Sequence, residues 1–164
     1  MSSEHPDLTF RPATEDDHRR VQARLAEWWD DWGDPHATMM RTLMLTRLFF
    51  QHFNDTSTIV EDEGGELRGF LIGFMSQDDP RAAYIHFVGI DPERRGTGVG
   101  RALYERFFGQ VRERGGEVVR AITGPQNATS IRFHRSMGFS VSEPQPDYDG
   151  PGYDRVCFER VIGG

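Results

Sequence analysis

The chain contains no lysine, so all nineteen of its basic residues are arginines. Without lysine there is no Schiff-base nucleophile of that type, and there is no P-loop, whose phosphate-binding residue is a lysine. Self-modification of a lysine is excluded for the same reason. The sequence therefore excludes covalent catalysis through a lysine Schiff base and nucleotide binding by a P-loop.

Cysteine is almost as scarce, since Cys157 is the only one. A single cysteine excludes an internal disulfide and a cysteine-rich zinc site. The six histidines never take the HExxH spacing of a zinc peptidase, and we predict no metal. A chain without disulfides is typical of a reducing compartment, so we expect a cytoplasmic location.

Long apolar runs are also missing. No stretch approaches the ~20 apolar residues of a membrane helix, and the opening stretch MSSEHPDLTFRP lacks the apolar core of a signal peptide. We expect a soluble protein that is not exported. Its 19 basic and 26 acidic side chains give a net charge of -7, which disfavours nucleic-acid and membrane partners because both require a positive field.

The residues that are present predict one mixed domain. A hydrophobic content of 37%, with twelve phenylalanines, can fill a single core, so we predict one domain over residues 1–164. The periodicities predict the element order β-αα-βββ-α-β-α-ββ. The apolar stretch AAYIHFVGID lacks the polar alternation of an exposed strand, which places it in the middle of the sheet.

Two consecutive helices are predicted after the first strand, at residues 8–14. Thr14 is the candidate N-cap of the first helix, whose buried positions would be Val21, Leu25 and Trp28. The second would begin after Pro35 and carry an apolar stripe suited to packing on a sheet. That stripe consists of Met40, Met44 and Leu48.

Residues 91–100, DPERRGTGVG, place three glycines at alternate positions between an apolar strand and a helix. A dinucleotide site needs G-x-G-x-x-G after the first strand and an acid ~20 residues later, and this chain offers neither. A Walker loop fails for want of lysine. One open interpretation is that Gly96, Gly98 and Gly100 only permit a tight turn and close helix packing.

The motif Arg95-x-x-Gly98-x-Gly100 is followed along the chain by NATSIRFHRSMGF, an asparagine-capped helix that ends in Gly-Phe. The two motifs in this order resemble the GNAT superfamily of acyl-CoA-dependent N-acetyltransferases. The predicted element order matches that fold over essentially the whole chain. The resemblance implies an α/β (α+β) fold with a mixed, mostly antiparallel sheet of about seven strands and about four helices.

The resemblance also implies a binding site for acetyl-CoA. The amides of the glycine loop would bind the pyrophosphate, in keeping with the positive end of a helix. The strand before the loop would pair with the pantetheine arm, and a helix cap and an aromatic residue would lie beside it, although both also fit purely structural roles. For Arg94 a solvated position is favoured. The implied cofactor residues are Val88, Gly89, Ile90, Arg95, Gly96, Thr97, Gly98, Val99, Gly100, Arg101, Asn127 and Phe133.

Acetyl transfer requires a neutral amine, a polarised thioester carbonyl and departure of a thiolate. Tyr84 and His86 are two residues apart and share a strand face, and His86 is the better base because its reference pKa is about 6.5. A hydrogen-bonded core histidine is the alternative. His134 stands where the family often has a tyrosine acid, and it could protonate the thiolate, line the cofactor or be structural. By resemblance, the Val88 N–H would meet the oxyanion.

The resemblance places acceptor specificity in the loop between the first two helices and in the last hairpin. Their acids and aromatic rings would suit a small cationic amine, such as a polyamine, an aminoglycoside or an amino-acid derivative, although acids in exposed loops need no such role. The alternatives are a protein amine as acceptor, or an acyl-CoA sensor without catalysis. We expect a monomer or a homodimer. The predicted acceptor contacts are Trp29, Asp31, Trp32 and Tyr148.

Overall fold

The computed structural model describes residues 4–29 and 34–163. The predicted acceptor residues Asp31 and Trp32 lie outside them. The strands are β1 (Leu8–Pro12), β2 (Thr58–Asp62), β3 (Leu67–Met75), β4 (Ala82–Ile90), β5 (Val118–Thr123), β6 (Ser140–Val141) and β7 (Val156–Val161). The helices are α1 (His18–Trp28), α2 (Pro35–Met44), the single turn α3 (Leu48–Gln51), α4 (Val99–Glu113) and α5 (Ala128–Ser136).

The seven strands form one mixed sheet in the order β1-β2-β3-β4-β5-β7-β6. The pairs β1–β2, β2–β3, β5–β7 and β6–β7 are antiparallel, whereas β4 and β5 run parallel through Ala82–Tyr84 and Val118–Arg120. The predicted fold class is confirmed. So is the central position of β4, the fourth strand of seven.

The chain divides into two compact units. The first comprises Met1–Phe74 and His86–Phe107, and the second comprises Met75–Ile85 and Phe108–Gly164. Each has its own apolar core. The prediction of a single domain over 1–164 stays a prediction.

In the first unit, β1 leads into α1 through a polar corner. Asp17 is almost fully buried and accepts hydrogen bonds from the Thr14 amide (2.8 Å) and from Arg11 Nη2 (2.7 Å). Thr14 thus begins the helical segment as predicted, since a short 3-10 turn precedes α1. The core that α1 closes consists of Ala13, Val21, Leu25, Trp28, Leu45, Phe50, Ile59, Leu67, Phe70, Ile72 and Phe87.

The predicted second helix is shorter than expected, and its apolar stripe does not pack on a sheet. The helix ends at Met44, and α3 follows as a separate turn. Met40, Met44 and Leu48 are each about half exposed, while Leu45 and Phe50 enter the core instead. Four-residue spacing identifies one face of a helix, but it cannot say which face meets the sheet once the helix is interrupted.

In the second unit, β5, β7 and β6 pack against α5 and the end of α4. Asn127 caps α5 as predicted, because its Oδ1 accepts a hydrogen bond from the Ser130 amide (3.2 Å). Gly115 has φ +79 just after α4, which is the left-handed ending typical of a helix. The buried apolar residues of this unit include Phe108, Val111, Val119, Ala121, Met137, Phe139, Val156, Phe158 and Ile162.

None of the described helices combines the length and the apolar character that crossing a membrane would require. Across residues 4–29 and 34–163, no three histidine, cysteine or acidic side chains gather in a way that could hold a metal ion.

Candidate active site

The glycine loop joins β4 to α4 in the first unit. Asp91 is buried at its start, where its carboxylate accepts hydrogen bonds from the Glu93 amide (2.9 Å) and from Arg68 Nη1 (2.6 Å). Gly96 and Gly98 then adopt φ values of +73 and +94, a region that favours glycine. These two residues therefore need to be glycine for the backbone to enter α4 along this path.

The loop presents open backbone at the amino-terminal end of a fifteen-residue helix. A Cβ placed on Gly96 would meet no described atom within 4 Å, so the surface there is accessible. Thr97 stays exposed and its hydroxyl donates to the Arg94 carbonyl (2.6 Å). Converging amides at the positive end of a helix fit an anionic phosphate ligand.

Arg95, predicted to contact the cofactor, makes its hydrogen bonds elsewhere in the first unit. Its Nη2 donates to the Trp28 carbonyl (2.8 Å) at the end of α1, and its Nε lies 3.4 Å from the Ile90 carbonyl. A cation at a helix carboxyl end is favourable. The guanidinium therefore links the glycine loop to α1, a role that the motif alone did not reveal. Arg101 lies 3.7 Å from Glu105 along α4.

The strand before the loop shows the alternation expected of its two faces. Ile85, Phe87 and Gly89 are buried, whereas Val88 and Ile90 are only half-buried. Gly89 does mark a close approach, because a Cβ there would lie 2.5 Å from the ring of Phe70. That approach is between the backbone and a core side chain, so the glycine has a packing reason independent of any ligand.

His86 is half-buried and held by a backbone carbonyl. Its Nε2 lies 2.9 Å from the Met44 oxygen at the end of α2. A carbonyl only accepts, so in the neutral ring Nε2 carries the hydrogen and Nδ1 is the atom able to accept a proton. The ring stacks on Phe49 with 4.4 Å between centroids and meets Phe87 at 4.6 Å. Burial lowers the pKa of His86, and the bond to Met44 offsets this only in part.

Trp29 lies close to these aromatic rings. It is the one predicted acceptor residue of the first loop that the structure describes. Its ring lies 5.9 Å from that of Phe87, and the Arg41 guanidinium stacks over it at 4.6 Å. The structure therefore brings the rings of Trp29 and His86 close to the same side chain, Phe87, in the first unit.

Tyr84, the other candidate on β4, belongs to the second unit. Burial raises its pKa to about 12, with further contributions from nearby Tyr148, Asp149 and Cys157. A phenol that holds its proton so firmly is a poor base at neutral pH. The proximity of Tyr148 places a predicted acceptor residue beside a predicted catalytic one.

His134 is buried in the second unit. Its Nδ1 donates to the Ser130 carbonyl (2.8 Å), one turn back in α5. The imidazole stacks on Phe158 at 3.9 Å, with the planes inclined by only 6°, and meets Phe139 edge-on at 5.1 Å. Burial lowers the pKa of His134 to about 4, despite the bond to Ser130. At neutral pH the ring is uncharged.

The other two predicted cofactor neighbours also lie in the second unit. Asn127 is exposed, and its amide nitrogen donates to the Thr123 hydroxyl (3.2 Å) while its oxygen caps α5. Phe133 is half-buried, with its ring 5.6 Å from His134. Asn127 thus acts as a helix cap and Phe133 packs against a core residue, the structural roles expected for them. Neither role excludes contact with a ligand.

The acids of the last loop are largely used to shape it. Asp147, at φ +55, accepts a hydrogen bond from the Gly152 amide (2.7 Å), and Asp154 accepts one from the Asp147 amide (2.9 Å). Asp149 pairs with Arg155 Nε at 2.8 Å. Of these three acids, Asp149 is offset by an opposite charge, whereas Asp147 and Asp154 are hydrogen-bonded by backbone amides and keep their negative charge.

Comparison with known proteins agrees with this architecture. A model of the acetyltransferase (GNAT) family matches residues 21–139, and the chain therefore belongs to that family. It is 36% identical over 90 residues to the L-methionine sulfoximine/L-methionine sulfone acetyltransferase of Salmonella typhimurium, covering 54% of this chain and 53% of the relative. It is 32% identical over 90 residues to the L-amino acid N-acyltransferase MnaT of Escherichia coli, covering 54% and 52%. The chain thus spans about half the length of these curated relatives.

A solved structure extends the likeness in fold to nearly the whole chain. It is that of the Salmonella typhimurium protein yncA with its cofactor acetyl-CoA, with a TM-score of 0.67 and 23% identity over 96% of this chain and 95% of that one. At this identity the likeness concerns the fold.

Sequence reasoning missed several residues that build the site. The acid of the D-P-E triplet is a recognisable cap signal, so Asp91 could have been found as the start of the loop. The Met44 carbonyl and Arg68 carry no local signal, because each acts through a contact with a distant part of the chain.

Proposed function

We propose that this protein is an acetyl-CoA-dependent N-acetyltransferase that acetylates the primary amine of a small molecule. The observation that carries the proposal is the glycine loop, with Gly96 and Gly98 at positive φ before α4 and directly after the strand that bears His86. Family membership supports the reaction class. An L-amino acid or a close derivative is the first acceptor class to test, because the two relatives named above act on such molecules.

The residues present fit coenzyme A. The loop amides would hold the diphosphate, since the open surface at Gly96 lets a phosphate reach the backbone at the positive end of α4. The half-buried residues Val88 and Ile90 would face the pantetheine arm. When bound, acetyl-CoA supplies an activated acetyl thioester.

His86 is the proposed base. Its Nδ1 would take a proton from the acceptor ammonium, directly or through a water molecule, while the Met44 carbonyl fixes the tautomer through Nε2. The lowered pKa keeps the ring neutral at physiological pH. The Val88 amide is the proposed donor to the thioester oxygen, as the family resemblance implies.

The proposal needs no dedicated acid for the departing thiolate. A thiol of pKa about 8.5 is a fair leaving group. Of the three roles open to His134, its burial, its stacking on Phe158 and its bond to Ser130 support the structural one.

The test is release of coenzyme A thiol from acetyl-CoA in the presence of single acceptors. L-methionine sulfone and a panel of L-amino acids form the first set, spermidine and an aminoglycoside the second, and a short lysine peptide the third. Hydrolysis without acceptor provides the background. We expect release above background with the first set.

Release only with the second set would favour a cationic acceptor, and release only with the peptide would favour a protein substrate. Binding of acetyl-CoA without turnover for any acceptor would favour an acyl-CoA sensor. A chain that does not bind acetyl-CoA would contradict the proposal as a whole.

A further inference from the structure

The first described residues form a turn in front of β1. The Leu8 amide donates to the His5 carbonyl (3.1 Å), and Pro6 occupies the second position, where its fixed φ favours a turn. Leu8 is buried and begins β1, which pairs with β2. The N-terminal turn, defined here as residues 5–8, is thus anchored to the sheet of the first unit.

Two contacts join the N-terminal turn to the glycine loop. The Asp7 carboxylate lies 2.7 Å from Arg94 Nη1, and the guanidinium holds the pKa of that carboxyl below its usual range. On the other side, a Cβ placed on Gly98 would lie 3.6 Å from His5 Nε2 and 3.7 Å from its Cε1. The imidazole edge therefore faces Gly98 across a gap that a methyl group would fill.

The ring edge that faces Gly98 carries a polar atom that packing alone does not require. His5 Nε2 is shielded from solvent and makes no hydrogen bond to any described residue. A shielded polar atom without a partner costs free energy, whereas an apolar side chain would fill the same space without that cost. The ring lies beside Gly98, one of the two loop glycines at positive φ.

Glycines give the loop its path and also make it costly to order. A glycine loses more conformational freedom than any other residue when its φ is fixed, and a ligand that must order the loop binds more weakly than one that meets it already ordered. The ion pair at Arg94 and the His5 ring beside Gly98 bracket Arg95, Gly96 and Thr97, so they limit the space open to the segment that would face the phosphates.

We propose that the N-terminal turn belongs to the cofactor-binding apparatus, where His5 and Asp7 hold the glycine loop in the conformation that binds the diphosphate of coenzyme A. They are positioning residues that act through Gly98 and Arg94. The inference rests on the proposed function. The turn lies outside residues 21–139, the part of the chain that the family model matches.

The experiment is a calorimetric titration of the full chain with coenzyme A, dephospho-coenzyme A and pantetheine, which lacks the diphosphate. For His5→Ala we expect both diphosphate ligands to bind about fivefold more weakly, the order of effect of lost preorganisation. For Asp7→Asn we expect about threefold, the size of a partly exposed ion pair. Pantetheine should bind as before, and the charge exchange Asp7→Arg with Arg94→Asp should recover most of the loss.

Glu15→Gln is the matched control, because its carboxylate is about as exposed as that of Asp7 and pairs with Arg47 away from the loop. It should leave all three affinities unchanged, and thermal unfolding of each variant confirms that it is folded. Equal weakening for pantetheine, or unchanged binding of coenzyme A in both variants, would overturn the inference while leaving the proposed function intact. A native chain that binds neither diphosphate ligand would overturn both.

Discussion

The two histidines predicted to take part in catalysis lie in contrasting surroundings. His86, in the first unit, is half-buried and bound through Nε2 to a carbonyl of another helix. His134, in the second unit, is buried, bound through Nδ1 to its own helix and stacked flat on Phe158. Burial lowers the pKa of both, and it lowers that of His134 to about 4.

The difference separates the histidine that we propose as the base from one that fills a core. A base needs an accessible lone pair and a pKa near the working pH. In His86, Nδ1 is the atom left to accept a proton because Nε2 donates to the Met44 carbonyl, and burial lowers the pKa of the ring. His134 packs as an aromatic side chain does, which explains how this chain can place histidine where family members often have tyrosine.

The largest effect is expected for His86→Ala. Loss of a general base should lower kcat by about 10²-fold or more, while the affinity for coenzyme A stays nearly unchanged because the glycine loop is intact. Thiol release and a coenzyme A titration on the same preparation measure the two quantities.

His52→Ala is the control for that comparison, since His52 is an exposed histidine of the same unit. It should retain native kcat. If His86→Ala also kept native kcat, the base would lie elsewhere, and the different surroundings of the two histidines would not reflect a difference in catalytic role.

His134→Ala should mainly change stability. Removing a buried ring that packs on Phe139 and Phe158 should lower the free energy of unfolding by about 2–4 kcal/mol, whereas kcat per folded molecule should change by less than about threefold. Chemical denaturation and thiol release check the two parts. A fall in kcat comparable to that of His86→Ala would instead assign His134 a chemical role.

Protonation of His134 should make the free energy of unfolding depend on pH. Its pKa is about 4 in the folded chain against a usual 6.5, so the unfolded chain binds more protons between these values. The contribution of neutral His134 to the free energy of unfolding is therefore fully present above pH 6.5. It is lost as the pH falls toward 4, and this lowers the free energy of unfolding by up to about 3 kcal/mol. Denaturation of native protein and of His134→Phe across this range isolates the contribution.

The phenylalanine variant keeps an aromatic ring against Phe158 but cannot titrate. Its stability should fall less steeply with acid than that of the native chain, and the remaining slope reports the carboxylates that both proteins share. Parallel slopes would mean that His134 does not titrate below its usual range.

Much of this arrangement could be predicted from local sequence. The Asn127 cap, the helix start after Gly98 and the central position of β4 follow from turn chemistry and periodicity within a few residues. The glycine spacing, together with the helix after Asn127, identified the family because two motifs in order are more specific than either alone.

The features of the site that the sequence did not predict depend on contacts between distant parts of the chain. His86 meets the carbonyl of Met44, 42 residues away, and Arg95 meets that of Trp28, 67 residues away. Every residue carries a backbone carbonyl, so no sequence motif can predict which carbonyl accepts a hydrogen bond from a distant side chain. The stripe at Met40, Met44 and Leu48 was misplaced for a related reason, since periodicity does not say which helix face finds a partner.

The most direct test of the central claim is kcat as a function of pH at saturating acceptor, for native protein, His134→Phe and His86→Ala. Because imidazolium cannot accept a proton, native kcat should fall with acid around a pKa below the usual 6.5 of histidine. His134→Phe should show the same fall, and the residual rate of His86→Ala should lack it. A fall that persists in His86→Ala, or that disappears in His134→Phe, would contradict the assignment of His86 as the base.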